Sequence, residues 1–199
     1  MFWKKIPKKF EFLAKKYDGD ELVALDTETS GLDPKKDEIL SIAAVPIKGN
    51  EIMTSKALYL TLKPSRAIAK ESVKIHKLRH CDLQGAMEPK EAIERLLHFI
   101  KNRPLVGYYL EFDVDIISRY TREFFGFKLP NRTIEVSGLY HDYKQKIIPQ
   151  GFIDLRFDTI LEDLDIPRFA QHNALSDAVM SALIYLKLQR RRHGKRSGF

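Results

Sequence analysis

The sequence predicts an α/β protein, a mixed five-stranded sheet with three antiparallel strands followed by parallel ones, flanked by helices. Three observations predict it. The aliphatic runs at residues 22–25 and 38–45 are short and bounded by turn signals, as buried strands are. From about Lys70 the apolar residues change to three- and four-residue spacings, the period of a helix. Between two such helical stretches lies Pro104-Leu105-Val106-Gly107-Tyr108, a short apolar strand.

Taken in order, residues 2–17 place Phe2, Ile6, Phe10 and Leu13 on one stripe and lysines on the other, which predicts a short amphipathic helix. The first strand, from Leu22, ends in Asp26-Thr27-Glu28-Thr29-Ser30-Gly31-Leu32. Gly31-Leu32-Asp33-Pro34 turns the chain into the second strand at 38–45, and Gly49-Asn50 closes a hairpin into a third at 52–62. Short connections make these three antiparallel neighbours. Residues 88–100 put Ala92, Ile93, Leu96, Leu97 and Ile100 on one helical face, and 112–125 do the same with Ile116, Ile117, Tyr120 and Phe124. A last strand is expected at 132–137, and helices at 155–164 and 173–188.

A chain of 199 residues with 44% apolar content suits one domain, here a core of about 20–188 between basic ends. Cys81 is the only cysteine, which excludes an intrachain disulfide and a cysteine-based zinc site. No apolar run reaches the length of a membrane span and no signal-peptide core is visible, so a cytoplasmic protein without a membrane partner is expected. The net charge of +7 is uneven: residues 1–17 carry +5, residues 187–199 carry +6, and the body between them −4. That distribution suits a protein that gathers metal ions in its body and attracts phosphates with its ends, or simply solvated tails.

Side chains alternate along a strand, so Asp26 and Glu28 share a face. Two carboxylates held side by side at the end of a core strand repel each other unless a cation sits between them, and hard oxygen donors favour magnesium or manganese. A strand running out into solvent explains the pair equally well. Asp113, at the start of a helix that follows a strand, occupies a place where ligands collect in open sheets, or simply complements the helix dipole. His172 and Asp177 are five residues apart, about 140° on a helix, and converge more easily if Asn173 caps the helix and leaves His172 on the loop. A loop histidine beside carboxylates is a candidate general base.

Asp26-Thr-Glu28 on a first strand, Phe112-Asp113 after a later strand, and His172 with Asp177 resemble the three motifs of the DEDD superfamily of 3′–5′ exonucleases. The match is to the histidine branch, which includes the proofreading subunit of bacterial DNA polymerase III. The tyrosine branch has tyrosine four residues before the last Asp, where this chain has Asn173. Residues Ile75-His76, Leu105-Val106-Gly107 and 157–167 also look like family segments. Two positions depart from it: Gly107-Tyr108-Tyr109 where relatives often have Gly-His-Asn, and Glu135 where Asp-Thr is common.

The resemblance implies a ribonuclease H-like sheet and catalytic residues Asp26, Glu28, Asp113, Asp177 and His172. It implies two divalent ions, Mg²⁺ or Mn²⁺, with Asp26 bridging them, Glu28 and Asp177 completing one site, and Asp113 serving the other. Thr27, Thr29, Leu32, His76 and Phe112 would contact the substrate, although core packing accounts equally well for Leu32 and Phe112. The implied activity is 3′–5′ hydrolysis of DNA at single-stranded or frayed ends, with a DNA polymerase as an expected partner. RNA ends are the alternative substrate, and a non-catalytic nucleic-acid-binding or polymerase-accessory module the alternative of another class.

Overall fold

The computed structural model describes residues 6–66, 83, 85–169 and 173–193. Its sheet is built from β1 (Glu21–Thr29), β2 (Ile39–Lys48), β3 (Glu51–Ile52), β4 (Leu58–Thr61), β5 (Leu105–Gly107) and β6 (Thr133–Glu135). The spatial order is β3-β2-β1-β5-β6, with β4 also paired to β2. The β1–β2, β2–β3 and β2–β4 pairs are antiparallel, and β1–β5 and β5–β6 are parallel. The expected third strand is therefore two pieces on one edge. A 3₁₀ turn at Thr54–Lys56 separates them, in a polar Thr-Ser-Lys stretch that cannot continue an apolar ladder.

Among the described residues five α-helices cover the sheet: α1 (Pro89–Ile100), α2 (Leu110–Phe125), α3 (Val136–Gln145), α4 (Phe157–Asp163) and α5 (Ala174–His193). Alternation along β1 sorts the core into two layers. Val23 and Leu25 face α1 and α2, where Ile93, Leu96, Leu97, Ile116 and Ile117 are fully buried. Ala24 faces the other way, toward α3, α4 and α5, with Tyr140, Ile160, Ala178 and Ile184. Among the described residues no helix is long and apolar enough to cross a membrane.

Two expectations need correction. Among the described residues near the N-terminus there is a 3₁₀ helix at Lys8–Ala14, with Phe10 off helical geometry (φ −115°, ψ 16°), in place of an α-helix. Phe10 and Leu13 are buried there as the spacing predicts, and Phe10 lies among Phe12, Phe125 and Phe127, so ring packing, not helical pairing, sets this segment. Helix α3 was not expected. Its Val-Ser-Gly-Leu-Tyr start is poor in helix formers, and what begins it is the Glu135 side chain accepting from the Ser137 N–H.

At the C-terminus the expected basic tail is helical through His193. Lys187 donates to the carbonyls of Leu164 and Asp165, and Arg191 donates to the Tyr143 hydroxyl at 2.8 Å.

Gly107 is where β5 hands over to α2. A Cβ there would lie 2.9 Å from both Leu110 Cδ1 and the carbonyl oxygen of Leu25. The second contact is backbone of the central strand and cannot yield cheaply. Gly107→Ala should therefore lower unfolding free energy by about 1–3 kcal/mol in a denaturant titration; an unchanged midpoint would mean that the β5–α2 junction relaxes freely.

Candidate active site

Asp26 and Glu28 leave the last turns of β1 on the face that packs against α5. Asn173 caps α5, its Oδ1 accepting from the N–H groups of Leu175 and Ser176 at 3.1 and 3.3 Å. The cap fixes the first turn of the helix, and with it Asp177. One carboxylate oxygen from each of Asp26, Glu28 and Asp177 lies within 4.8 Å of the others, and all three side chains are half-buried.

Asp113 approaches from the opposite side of β1. It is buried in the first turn of α2, and its Oδ1 accepts from Thr27 Oγ1 at 2.5 Å. Thr27 lies between Asp26 and Glu28 but points into the other layer, so this hydrogen bond ties Asp113 to the same strand end from that layer. Asp113 stands outside the three-carboxylate group yet within its electrostatic reach.

Their charges show the cost of this gathering. Burial first, and then the nearby Asp177 and Asp113, push the Glu28 carboxyl up to about 7. Burial and repulsion from Asp113, Asp177 and Glu28 raise Asp26 well above the ordinary carboxylate range. Burial raises Asp113 as well, although the Thr27 hydrogen bonds oppose it. Ser41, opposite Glu28 on β2, is buried and its Oγ has no hydrogen-bond partner. An all-oxygen donor set with unrelieved repulsion and an unmatched hydroxyl beside it fits a hard divalent cation.

A cavity of about 300 Å³ opens beside this group, lined by Asp26, Asp177, Ser181, Tyr108, Arg156, Phe157 and Asp158. Tyr108 donates to the Leu155 carbonyl at 3.0 Å and packs its ring against Phe157 at 4.7 Å. Arg156 was not singled out in the sequence. Its only signal was position, immediately before Phe157-Asp158 at the start of α4.

The remaining expected residues divide. Leu32 is 90% exposed at the tip of the β1–β2 turn, which rules out core packing for it. The turn is stiff: Asp37 accepts from Ser30 Oγ and from the Asp33 N–H, and a Cβ on Gly31 would fall 2.5 Å from the Asp37 carboxylate. Phe112 is half-buried. The hydroxyls of Thr27 and Thr29 are committed to Asp113 and to the Gly31 carbonyl. His76 and His172 lie outside the described residues.

The sequence model of the exonuclease family, typified by RNase T, matches residues 23–185. This chain belongs to the exonuclease family. Among family relatives, it is 28% identical over 185 residues to DNA polymerase III subunit epsilon of Aquifex aeolicus, covering 93% of this chain and 88% of that one. It is 29% identical over 168 residues to the PolC-type DNA polymerase III of Thermotoga maritima, covering 83% of this chain but only 12% of that protein. Escherichia coli exonuclease I in complex with a dT13 oligonucleotide superposes with a TM-score of 0.74 at 15% identity, over 89% of this chain and 42% of that one. The shared fold is the ribonuclease H-like mixed sheet that the DEDD resemblance implied.

Burial of Glu28, reinforced by its acidic neighbours, dictates a pH dependence. Glu28 binds its proton more tightly in the folded protein (about 7) than at its ordinary value of 4.5. Between those values the folded state holds the extra proton, so metal-free stability falls as pH rises through that window. In chelator, the thermal midpoint should be higher at pH 5.5 than at pH 8, and Glu28→Gln should shrink the difference. Equal slopes for wild type and variant would remove Glu28 as the cause.

Proposed function

We propose that this protein is a divalent-metal-dependent 3′–5′ exonuclease acting on DNA at single-stranded or frayed 3′ ends and releasing nucleoside 5′-monophosphates. The observation that carries the reading is the convergence of Asp26, Glu28 and Asp177 within 4.8 Å, with Asp113 anchored to Thr27 around the same strand end. Few other tasks call for so many carboxylates in a half-buried place.

In this reading Asp26, Glu28 and Asp177 hold one Mg²⁺ or Mn²⁺, and Asp113 with Asp26 holds a second. Bound there, the ions acidify water and neutralise charge developing on the phosphodiester. His172 takes the proton from the attacking water, a role its near-neutral pKa suits. Leu32, held out by its stiff turn, lies against the terminal base, with Phe112 and His76 as neighbours of the nucleotide. A DNA polymerase is the proposed partner, because the chain is similar to a protein named as a polymerase III epsilon subunit across most of both lengths.

The test is hydrolysis of 3′- and 5′-labelled single-stranded DNA and RNA in Mg²⁺ or Mn²⁺. Stepwise mononucleotide release from the 3′ end is expected, faster on DNA, with His172→Ala slowed about 10²–10⁴-fold. Preference for RNA would make the protein an exoribonuclease, and no hydrolysis of either would leave a binding module. Independently of turnover, either metal should raise the wild-type melting temperature through binding to the native state. Asp26→Ala should lose that rise; a retained rise would dislodge the metal site from β1.

A further inference from the structure

Glu135 closes β6 and stands between the first turns of two helices. Its Oε1 accepts from the Tyr109 N–H at 3.1 Å, the Ser137 N–H at 3.1 Å and Ser137 Oγ at 2.8 Å. Its Oε2 accepts from the Leu110 N–H at 2.9 Å. One carboxylate thus satisfies backbone donors at the start of α3, its own helix, and of α2, which begins 25 residues earlier at Leu110. A negative charge is favoured at both places by the helix dipoles.

The α2 end needs this anchor for a reason of its own. Tyr109, the residue before α2, has φ 50° and ψ 32°, the left-handed region that costs a non-glycine residue on the order of 1 kcal/mol. No side chain of its own caps the helix there. Glu135 supplies from outside both the cap and the hold on the strained peptide. Asp113 follows Leu110 by three residues, in the same first turn. Where that turn sits decides whether the Asp113 carboxylate meets Thr27 Oγ1 and faces the β1 acids.

We infer that Glu135 is a positioning residue for the reaction: by clamping the first turn of α2 it sets the place of Asp113, and so the affinity for the metal that Asp113 serves. The inference rests on the exonuclease reading above. A group hydrogen-bonded directly to a metal ligand typically changes metal affinity or activity 10–100-fold when it is altered, and Glu135, acting one step further back through the backbone of the turn, belongs at the low end. Glu135→Gln preserves shape but turns an amide N–H₂ toward either the Leu110 N–H or the Tyr109 and Ser137 donors, so in either orientation the α2 start loses one of its two acceptors.

The experiment is a titration of exonuclease activity with Mn²⁺ for wild type, Glu135→Gln and Asp113→Ala, alongside thermal melts with and without the metal. For Glu135→Gln the half-saturating Mn²⁺ concentration should rise about tenfold. Its kcat should fall while KM for the oligonucleotide stays within about twofold, and the metal-induced rise in melting temperature should shrink at a fixed Mn²⁺ concentration. A merely structural role would lower the melting temperature and the active fraction but leave the half-saturating concentration of the surviving molecules unchanged, and that result overturns the inference. If Glu135→Gln does not fold, Ser137→Ala removes one donor to the same oxygen and leaves every backbone partner. It should raise the half-saturating concentration about threefold, the worth of one modest hydrogen bond, and no change would overturn the inference. Full activity of Asp113→Ala would instead bring down the reading on which this one stands, and this one with it, whereas an inactive Asp113→Ala with an unmoved Glu135→Gln brings down this one alone.

Discussion

The alternation of side chains along β1 is the constraint on which the rest depends. A central strand buried on both sides sends Val23 and Leu25 into one layer and Ala24 into the other, so both hydrophobic layers are built on the same three residues. Where the strand leaves the core the alternation continues, but with Asp26, Thr27 and Glu28 in place of aliphatics. The acids therefore inherit their geometry from the packing. They cannot move apart without moving the strand, and β1 is held by β2 on one side and β5 on the other.

The two layers each return one carboxylate to that strand end. Helix α5 brings Asp177 on the face of Asp26 and Glu28, fixed by the Asn173 cap. Helix α2 brings Asp113 on the face of Thr27, fixed by its hydrogen bond and by the backbone clamp at the helix start. Burial first, and then repulsion from Asp177 and Asp113, push Glu28 to about 7, so the folded protein holds its acids at a cost where its core is most rigid. Hydrophobic burial in the surrounding layers supports that cost.

Much of this was legible in the residues. The aliphatic runs gave the strands and their directions because burial on both faces leaves no polar interruption, and α1 and α2 were legible from their apolar stripes. The DTE triplet and the Asn173 cap could be placed because strand alternation and helix capping are local rules. What the sequence withheld depends on contacts between distant segments. The N-terminal stretch has a helical stripe, but Phe10 packs among rings from residues 125 and 127, and its backbone bends to suit them. Helix α3 begins in a stretch poor in helix formers and is started by Glu135, whose carboxylate also serves Tyr109 and Leu110. The cavity wall from Tyr108, Arg156 and Asp158 needed β5 and the α4 start to be brought together in space.

The last turns of α5 bear on how the protein meets a polyanion. Lys187 is bound to two carbonyls of the preceding connection and Arg191 to a tyrosine hydroxyl while stacking on its ring. These neutral partners leave both charges in place but hold the two side chains against the fold, tying the long helix down. The formal +7 therefore describes the field that attracts a nucleic-acid backbone better than it counts the cations free to touch one. Counterions displaced by a bound strand are counted by the cations that actually reach its phosphates, and those two are already engaged elsewhere.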